Sequence, residues 1–219
     1  MTEITARPPY SVGFWFAVGL AALVCVALYF PALGGPLFFD DVPNLVDNPQ
    51  VQIDGRSFDA WRVAALSTSA GELERPVAML SFALNHVVAG ELSPFALKAT
   101  NLALHLAIGG LVFWVSLLVL RSLALAQRTA GRLDEHYRSL VALVAAVLWL
   151  LHPLHVSTVM YSVQRMAQFS TLYTLAGLGV FLHYRLRWAR REPAAGEVPA
   201  VLLWVSLLGL FALFSKENG

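Results

Sequence analysis

Long uncharged runs of hydrophobic residues alternate with short polar segments along this chain. A helix rises about 1.5 Å per residue, and the hydrocarbon core of a bilayer is roughly 30 Å thick, so these runs can cross or enter a membrane. The pattern predicts five membrane helices and one long outer loop, at residues 34–94. The predicted helices cover approximately residues 13–33, 99–120, 139–152, 156–184 and 198–215.

The limits of two of these helices need separate arguments. Pro153 disfavours helical geometry at His152, so the third helix should end near His152 and a new one should begin soon after Pro153. The first run has a rival interpretation as a cleaved signal peptide, but such peptides have shorter apolar regions and a more basic start. We therefore expect an uncleaved first helix. The predicted fold class is all-α, a polytopic helical bundle in a single membrane domain over residues 1–219.

The long outer loop contains two shorter helical patterns. Ser57 to Leu66 places apolar residues at helical spacing, and Pro76 to Ala89 is uncharged but too short to span a bilayer. Both patterns predict amphipathic helices that lie along the membrane surface. The alternative is that they pack on the spanning helices, and in either position they would form walls of a cavity at the outer face.

Composition and charge agree with a membrane protein and set its expected orientation. The chain is 58% hydrophobic and 13% charged, whereas soluble domains carry about 25% charged residues. The net charge of +1 does not favour nucleic-acid binding. The positive-inside rule places the arginine-rich segments and the N-terminus in the cytoplasm. The arginines concerned are Arg7, Arg121, Arg128, Arg132, Arg138, Arg185, Arg187, Arg190 and Arg191.

Two adjacent acids, Asp40 and Asp41, follow the first predicted helix. Carboxylates at this position can serve as a general base, as ligands of a divalent metal, or as both. The alternative is that they are solvated loop acids in a turn before Pro43. The sequence leaves open which of the two acids is catalytic.

Further candidates lie at the predicted break between the third and fourth helices. His152 and His155 are three residues apart, which suits metal binding or donation to a phosphate, although interfacial histidines have the same spacing. An arginine near mid-membrane depth usually faces a cavity or a partner, which makes Arg165 a candidate. The alternative is a helix that begins only at Met166. Gln164 adds a hydrogen-bonding group.

The remaining candidates are scattered along the chain. Lys216 and Glu217 close the fifth helix, where a basic residue is also a common anchor. Arg75 precedes the second loop helix and can bind an acidic headgroup or a phosphate. Asn101 and His105 lie one turn apart, and hydrogen bonding to neighbouring helices is their favoured interpretation.

In order and spacing, these residues resemble the membrane half of the tetratricopeptide-repeat membrane proteins. Those proteins are GT-C-type glycosyltransferases related to the protein O-mannosyltransferases. The resemblance covers nearly the whole chain. Its motifs are Phe39-Asp40-Asp41, Arg75-Pro76, Leu80-Ser81-Phe82, Asn85, Asn101-Leu102, His105, His152-Pro153-Leu154-His155, Val163-Gln164-Arg165-Met166 and Ser215-Lys216-Glu217-Asn218.

The resemblance implies an activity, a donor and a site. A sugar would pass from a polyprenyl- or dolichyl-phosphate carrier to a hydroxyl of a protein or glycan, on the non-cytoplasmic face. The implied location is a bacterial inner membrane, with the N-terminus cytoplasmic and the active face periplasmic. Asp40 or Asp41 would be the catalytic acid. The implied phosphate-binding residues are Arg165, His152, His155, Lys216 and Arg75, with Gln164, Glu217, His105 and Asn101 nearby.

Two departures from the family pattern bear on these expectations. Some relatives carry a glutamate shortly after the His-Pro turn, where this chain has Ser157-Thr158. Family members also continue beyond the point that corresponds to Gly219, so we expect an N-terminal piece that is inactive alone. The competing function classes are a transporter subunit, which needs polar residues along a path through the bilayer, and a non-catalytic membrane anchor. The transferase hypothesis requires Asp40 and Arg165 on the same side of the membrane.

Overall fold

The computed structural model describes residues 10–68, 73–126 and 134–217, and within these ranges it contains helices and no strands. This confirms the all-α fold class. Arg7, Arg128, Arg132 and Asn218, which entered the predictions above, lie outside the described residues. The α-helices are α1 (Val12–Tyr29), α2 (Phe58–Ala65), α3 (Pro76–Ala89), α4 (Pro94–Ala126), α5 (Glu135–Leu150), α6 (His155–Met160), α7 (Arg165–Trp188) and α8 (Glu197–Leu213).

Among the described residues, two segments are long and apolar enough to cross a membrane, by length and composition. They are Val12–Ala32, which contains α1, and Pro94–Ala126, which is α4. At 33 residues, α4 is about 50 Å long and extends beyond the predicted range 99–120 at both ends. Its start is set by local chemistry, because the Ser93 hydroxyl accepts the N–H of Ala96 and Pro94 suits a first helical position.

Helix α4 is the centre of the bundle and packs against α5 and α7, while α7 also packs against α8. Glycine makes the α4–α7 contact close. A Cβ on Gly179 would lie 2.2 Å from the ring of Trp114, so only glycine fits at this point. The α4–α5 contact is similar in kind, because a Cβ on Gly109 would lie 2.9 Å from Leu150.

The long helices α1, α4, α5, α7 and α8 alternate in direction along the chain, which gives the bundle two distinct ends. Arg165, at the start of α7, bonds to Leu97 near the start of α4. Arg121, near the end of α4, bonds to Glu135 at the start of α5. We call the first the Asp40 end, where α1, α5 and α8 finish and α4 and α7 begin. The other is the arginine end, where α4 and α7 finish and α5 and α8 begin.

The two loop helices lie where the sequence predicts them, and α3 has the predicted bounds. They pack on each other, and α3 also packs against α4 and α7. Met79 and Phe82 of α3 join a buried cluster with Leu45, Leu97 and Met166. Helix α3 therefore packs on the helical bundle, and the placement of both loop helices along the membrane surface stays a prediction. Gly90 ends α3 with a φ of 74°, a backbone conformation that favours glycine.

The segment after the His-Pro turn differs from the predicted single helix over 156–184. Helix α5 ends at Leu150, α6 begins at His155, and α7 begins only at Arg165. Between α6 and α7 the backbone of Tyr161 is extended, with φ −94° and ψ 109°. This break leaves the N–H groups of Ser162 and Val163 free to bond outside the helix, and both bond to the first loop.

Candidate functional site

Asp41 is fully buried and holds the first loop against the break between α6 and α7. Its Oδ2 atom accepts the N–H of Ser162 at 3.2 Å, and its Oδ1 atom accepts the N–H of Val163 at 2.8 Å. Burial raises the pKa of the Asp41 carboxyl, against the opposing effect of these N–H groups and of the Lys98 charge. Both carboxylate oxygens are thus engaged by the protein itself.

Lys98 fixes the start of the same loop from α4. Its side chain is 2% exposed, and its Nζ donates to the carbonyls of Gly35 at 2.7 Å and Pro36 at 3.0 Å. The sequence analysis did not single out Lys98. Its only signal is a charge inside an otherwise apolar helix, which is also how an interfacial anchor looks.

Asp40 lies next to Asp41 in the chain but in the opposite environment, because its side chain is exposed. Its backbone N–H donates to the hydroxyl of Tyr161 at 2.7 Å, and the ring of Phe38 stacks on Tyr161 at 5.5 Å. Sequence reasoning missed Tyr161, because an interfacial tyrosine is unremarkable without knowledge of its contact. The loop is therefore anchored on both sides of a carboxylate that faces outward.

Phe39, directly before Asp40, has a left-handed backbone with φ 50° and a side chain that is 79% exposed. This conformation costs a residue with a Cβ about 1–2 kcal/mol. It persists only where surrounding contacts over-determine it, and such residues concentrate at functional sites. Here the anchors are the Phe38–Tyr161 stack and the bonds of Asp41. The strained turn sets the direction of the Asp40 side chain.

Arg165 is completely buried, and within the described ranges it bonds only to neutral acceptors. Its Nε donates to Asn101 Oδ1 at 2.8 Å, and its terminal nitrogens donate to the carbonyls of Ser81 at 3.1 Å and Leu97 at 2.7 Å. Its guanidinium also lies 4.5 Å from the centre of the Phe82 ring. These contacts tie α3, α4 and α7 together. They favour a positioning role over direct phosphate binding, because the donors are already engaged.

Asn101 and His105 bond to neighbouring segments, as their favoured interpretation predicts. Asn101 Nδ2 lies 3.2–3.3 Å from the carbonyls of Val159, Tyr161 and Ser162, so this one side chain supports the break between α6 and α7. His105 Nε2 lies 2.8 Å from the carbonyl of Leu150, at the end of α5. Both residues are structural parts of the Asp40 end.

The two histidines of the His-Pro turn differ in their exposure to solvent. His152 is exposed, and its Nδ1 accepts the N–H of Leu154 at 3.3 Å. His155 packs against Trp149, with ring centres 4.4 Å apart, and lies 6.2 Å from the His152 ring. Among the residues that the structure describes, no group of three or more His, Cys, Asp or Glu side chains is placed to hold a metal. A divalent metal at Asp40 and Asp41 stays a prediction.

Arg75 and Glu217 join the second loop helix to the end of α8. The Arg75 guanidinium donates to Glu217 Oε2 at 2.8 Å, and these hydrogen bonds hold the pKa of Glu217 below its usual range. Arg75 and Glu74 both have left-handed backbones, with φ 47° and 53°. The neighbouring Lys216 side chain is half-buried and makes no hydrogen bond or ion pair within the described part of the chain, and the same holds for Gln164.

The candidate residues therefore gather at the Asp40 end, although they divide into two groups. Asp40, His152 and Lys216 present side chains that no ion pair engages within the described ranges. Asp41, Arg165, Arg75 and Asn101 are engaged in the contacts that hold the end together. Asp40 and Arg165 lie at the same end of the bundle, as the transferase hypothesis requires, because Asp41 bonds to Val163, two residues before Arg165.

The chain was compared with known proteins. No family model matches it, and no solved structure matches it. The human protein O-mannosyl-transferase TMTC4 is 29% identical over 215 residues, which are 94% of this chain and 28% of that protein. The Drosophila melanogaster protein O-mannosyl-transferase Tmtc3 is 27% identical over 212 residues, 90% of this chain and 22% of that protein. The mouse TMTC1 is 29% identical over 216 residues, 92% of this chain and 21% of that protein.

This chain thus spans about a quarter of the length of the curated relatives that it matches. The match nevertheless covers nearly all of the chain. The predicted resemblance is confirmed: along almost its entire length the chain is similar to proteins named protein O-mannosyl-transferases.

Proposed function

We propose that this chain forms part of a membrane glycosyltransferase, with Asp40 as its general base. The sugar would come from a polyprenyl-phosphate carrier and pass to a hydroxyl of a protein or glycan on the non-cytoplasmic face. The names of the relatives suggest mannose as the sugar and protein as the acceptor. The observation that carries the proposal is the exposed Asp40 carboxylate on a strained, doubly anchored turn.

The chemistry follows from a single displacement. The Asp40 carboxylate takes the proton of the acceptor hydroxyl as its oxygen forms a bond to the sugar C1 atom. The bond between C1 and the carrier phosphate breaks, and the phosphate leaves with both electrons. Attack opposite to the leaving group inverts the configuration at C1. The phosphate leaves as an anion, so this reaction needs nearby cations more than it needs an acid.

The basic residues have two roles in this proposal. Lys216 and His152 have side chains that are available to touch the leaving phosphate. Arg165 and Arg75 act by positioning, since both are bonded within the protein. Asp41 also positions, because it holds the loop that presents Asp40. The location that we propose is a bacterial inner membrane, and the positive-inside rule then puts the Asp40 end at the periplasmic side.

The test is sugar transfer by the full-length protein in intact membranes, with three aspartate-to-asparagine variants of the same loop. We expect Asp40→Asn to lower the transfer rate by about 10²- to 10⁴-fold, the usual contribution of a general base, without changing thermal stability. Asp41→Asn should lower stability and activity together, because an amide offers one acceptor oxygen to two N–H groups. Asp47→Asn, an exposed acid nearby, is the matched control and should change neither.

Two results would contradict the proposal. Full activity in Asp40→Asn would show that Asp40 is not the general base, and it would favour the hypothesis of a non-catalytic membrane anchor. A loss of activity in Asp40→Asn that is accompanied by the same loss of stability as in Asp41→Asn would make Asp40 structural.

A further inference from the structure

A cavity lies at the arginine end, away from Asp40. Its volume is about 740 Å³, and its walls come from the end of α4, the start of α5 and the end of α7. This volume lies within the range of small-molecule sites, roughly 300–1,000 Å³, and is much larger than a single phosphate ion needs. The cavity therefore has room for a phosphate group together with part of the molecule that carries it.

The lining of this cavity is strongly basic. It includes Arg121, Arg138, Arg187, Arg190 and Arg191, together with His183, and Glu135 is the only acid among the described residues of the lining. Glu135 accepts from Arg121 and Arg138, and Glu197 outside the lining pairs with Arg191 at 2.7 Å. Two carboxylates thus face five guanidinium groups, so the cavity retains a net positive charge that an anion would balance.

Arg138 and Arg190 have donors that no hydrogen bond engages within the described residues. The Arg138 side chain is only 12% exposed, and its Nε is buried without a hydrogen-bond partner among the described residues. A buried donor without a partner destabilises the folded protein, so a ligand that accepts from it would be favoured. The Arg190 side chain makes no hydrogen bond or ion pair with any part of the chain that the structure describes.

The rest of the lining is apolar. Leu118, Leu125 and Leu186 share the cavity with the arginines. A free phosphate gains nothing from leucine side chains, whereas a lipid offers a phosphate beside a hydrocarbon chain. Basic pockets between membrane helices on the cytoplasmic side bind lipid headgroups by this combination of contacts.

We infer that the arginine end binds the phosphate headgroup of an anionic membrane phospholipid, with Arg138 and Arg190 as ligands. The cavity is at the opposite end of the bundle from Asp40, so this site is separate from the proposed transfer reaction. The bound lipid would neutralise the arginine cluster and connect α4, α5 and α7 at this end.

The experiment measures the thermal midpoint of the full-length protein in detergent against added dioleoylphosphatidylglycerol. The comparison ligands are dioleoylphosphatidylcholine, which has no net charge, and inorganic phosphate. A ligand that binds only the folded state raises the midpoint in proportion to the logarithm of its concentration over Kd. We expect phosphatidylglycerol to raise the midpoint more than either comparison ligand does.

Three matched variants locate the binding. Arg190→Gln should weaken the apparent affinity for phosphatidylglycerol about five-fold, and Arg138→Gln on the order of ten-fold. Arg185→Gln removes an exposed arginine of the same helix that does not line the cavity, and it should leave the affinity unchanged. Since Arg190 has no partner within the described residues, its variant keeps the test informative even if Arg138→Gln fails to fold.

Three results would overturn the inference. One is no response of the parent protein to phosphatidylglycerol beyond its response to phosphatidylcholine. Another is equal weakening by Arg185→Gln and Arg190→Gln, which would indicate general surface charge. A response to inorganic phosphate that equals the response to the lipid would replace the lipid headgroup with a soluble phosphate.

Discussion

Both ends of the bundle carry charged side chains but use them in different ways. At the Asp40 end, buried polar groups bond across long stretches of sequence, as Asp41 does to Val163 and Arg165 does to Leu97. At the arginine end, ion pairs are partly exposed and join residues near in sequence, such as Arg138 and Glu135. Buried, fully bonded groups fix geometry, whereas exposed pairs contribute little energy and leave charge available to ligands.

The sharpest test of this difference compares the same substitution at the two ends. Arg165→Gln leaves buried acceptors of Asn101, Ser81 and Leu97 without a donor, and it should destabilise the protein by about 3–5 kcal/mol. Arg121→Gln, at a side chain that is 36% exposed, should cost at most about 1 kcal/mol. Thermal unfolding in detergent measures both. Equal losses would mean that the two ends are not energetically different.

Two glycine substitutions test how tightly α4 and α7 pack between the two ends. Gly179→Ala forces a methyl group against the Trp114 ring, and we expect a loss of about 1–3 kcal/mol. Gly209→Ala is the control, because a Cβ there meets nothing within 4 Å. It should be neutral or slightly stabilising, since alanine favours helix over glycine. If both variants unfold at the same temperature, the contact between Gly179 and Trp114 is not tight.

The smallest expected effect concerns pH and the pair formed by Arg75 and Glu217. Arg75 lowers the pKa of Glu217 in the folded protein, so the pair stabilises the fold above the ordinary glutamate pKa of about 4.3. That stabilisation is lost as the pH falls through the lowered pKa. The difference in thermal midpoint between the parent and Glu217→Gln should therefore be constant from pH 6 to 8, at most about 2–4 °C, and vanish in acid.

The control for this measurement is the same comparison in an Arg75→Gln background. Without the guanidinium, the Glu217→Gln substitution should no longer produce a difference that depends on pH. A pH dependence that persists there would assign the effect to another group.

Local signals in the sequence predicted some elements closely. Pro76 and Gly90 bracket α3, and Ser93 with Pro94 starts α4, because these residues act on their own backbone. The prediction of one continuous fourth helix was wrong, because the interactions that break this helix come from distant parts of the chain. Nothing near Tyr161 opposes a continuous helix over 156–184. The break is stabilised by Asp41, which is 121 residues from Ser162, and by the Asn101 side chain.

In the candidate site, too, some features could be predicted from the sequence and others could not. The sequence identified Asp40, Asp41, Asn101 and Arg165 as unusual polar residues, and the antiparallel bundle does bring them to one end. It did not reveal that one of the two adjacent acids is buried and the other exposed, since both have the same local pattern. Lys98 and Tyr161 were missed because a lysine or tyrosine at a helix end commonly has an interfacial role.

By itself, the sequence determined that this protein is an all-α membrane protein and which chemical groups its Asp40 end contains. The length of a hydrophobic run and the preferences of single residues act over a few helical turns, so their effects can be predicted without knowledge of the tertiary structure. Only the tertiary structure decided which of these groups remain available to a substrate. Availability depends on whether the donors and acceptors of distant segments have already bonded to each other, and for Asp41 and Arg165 they have.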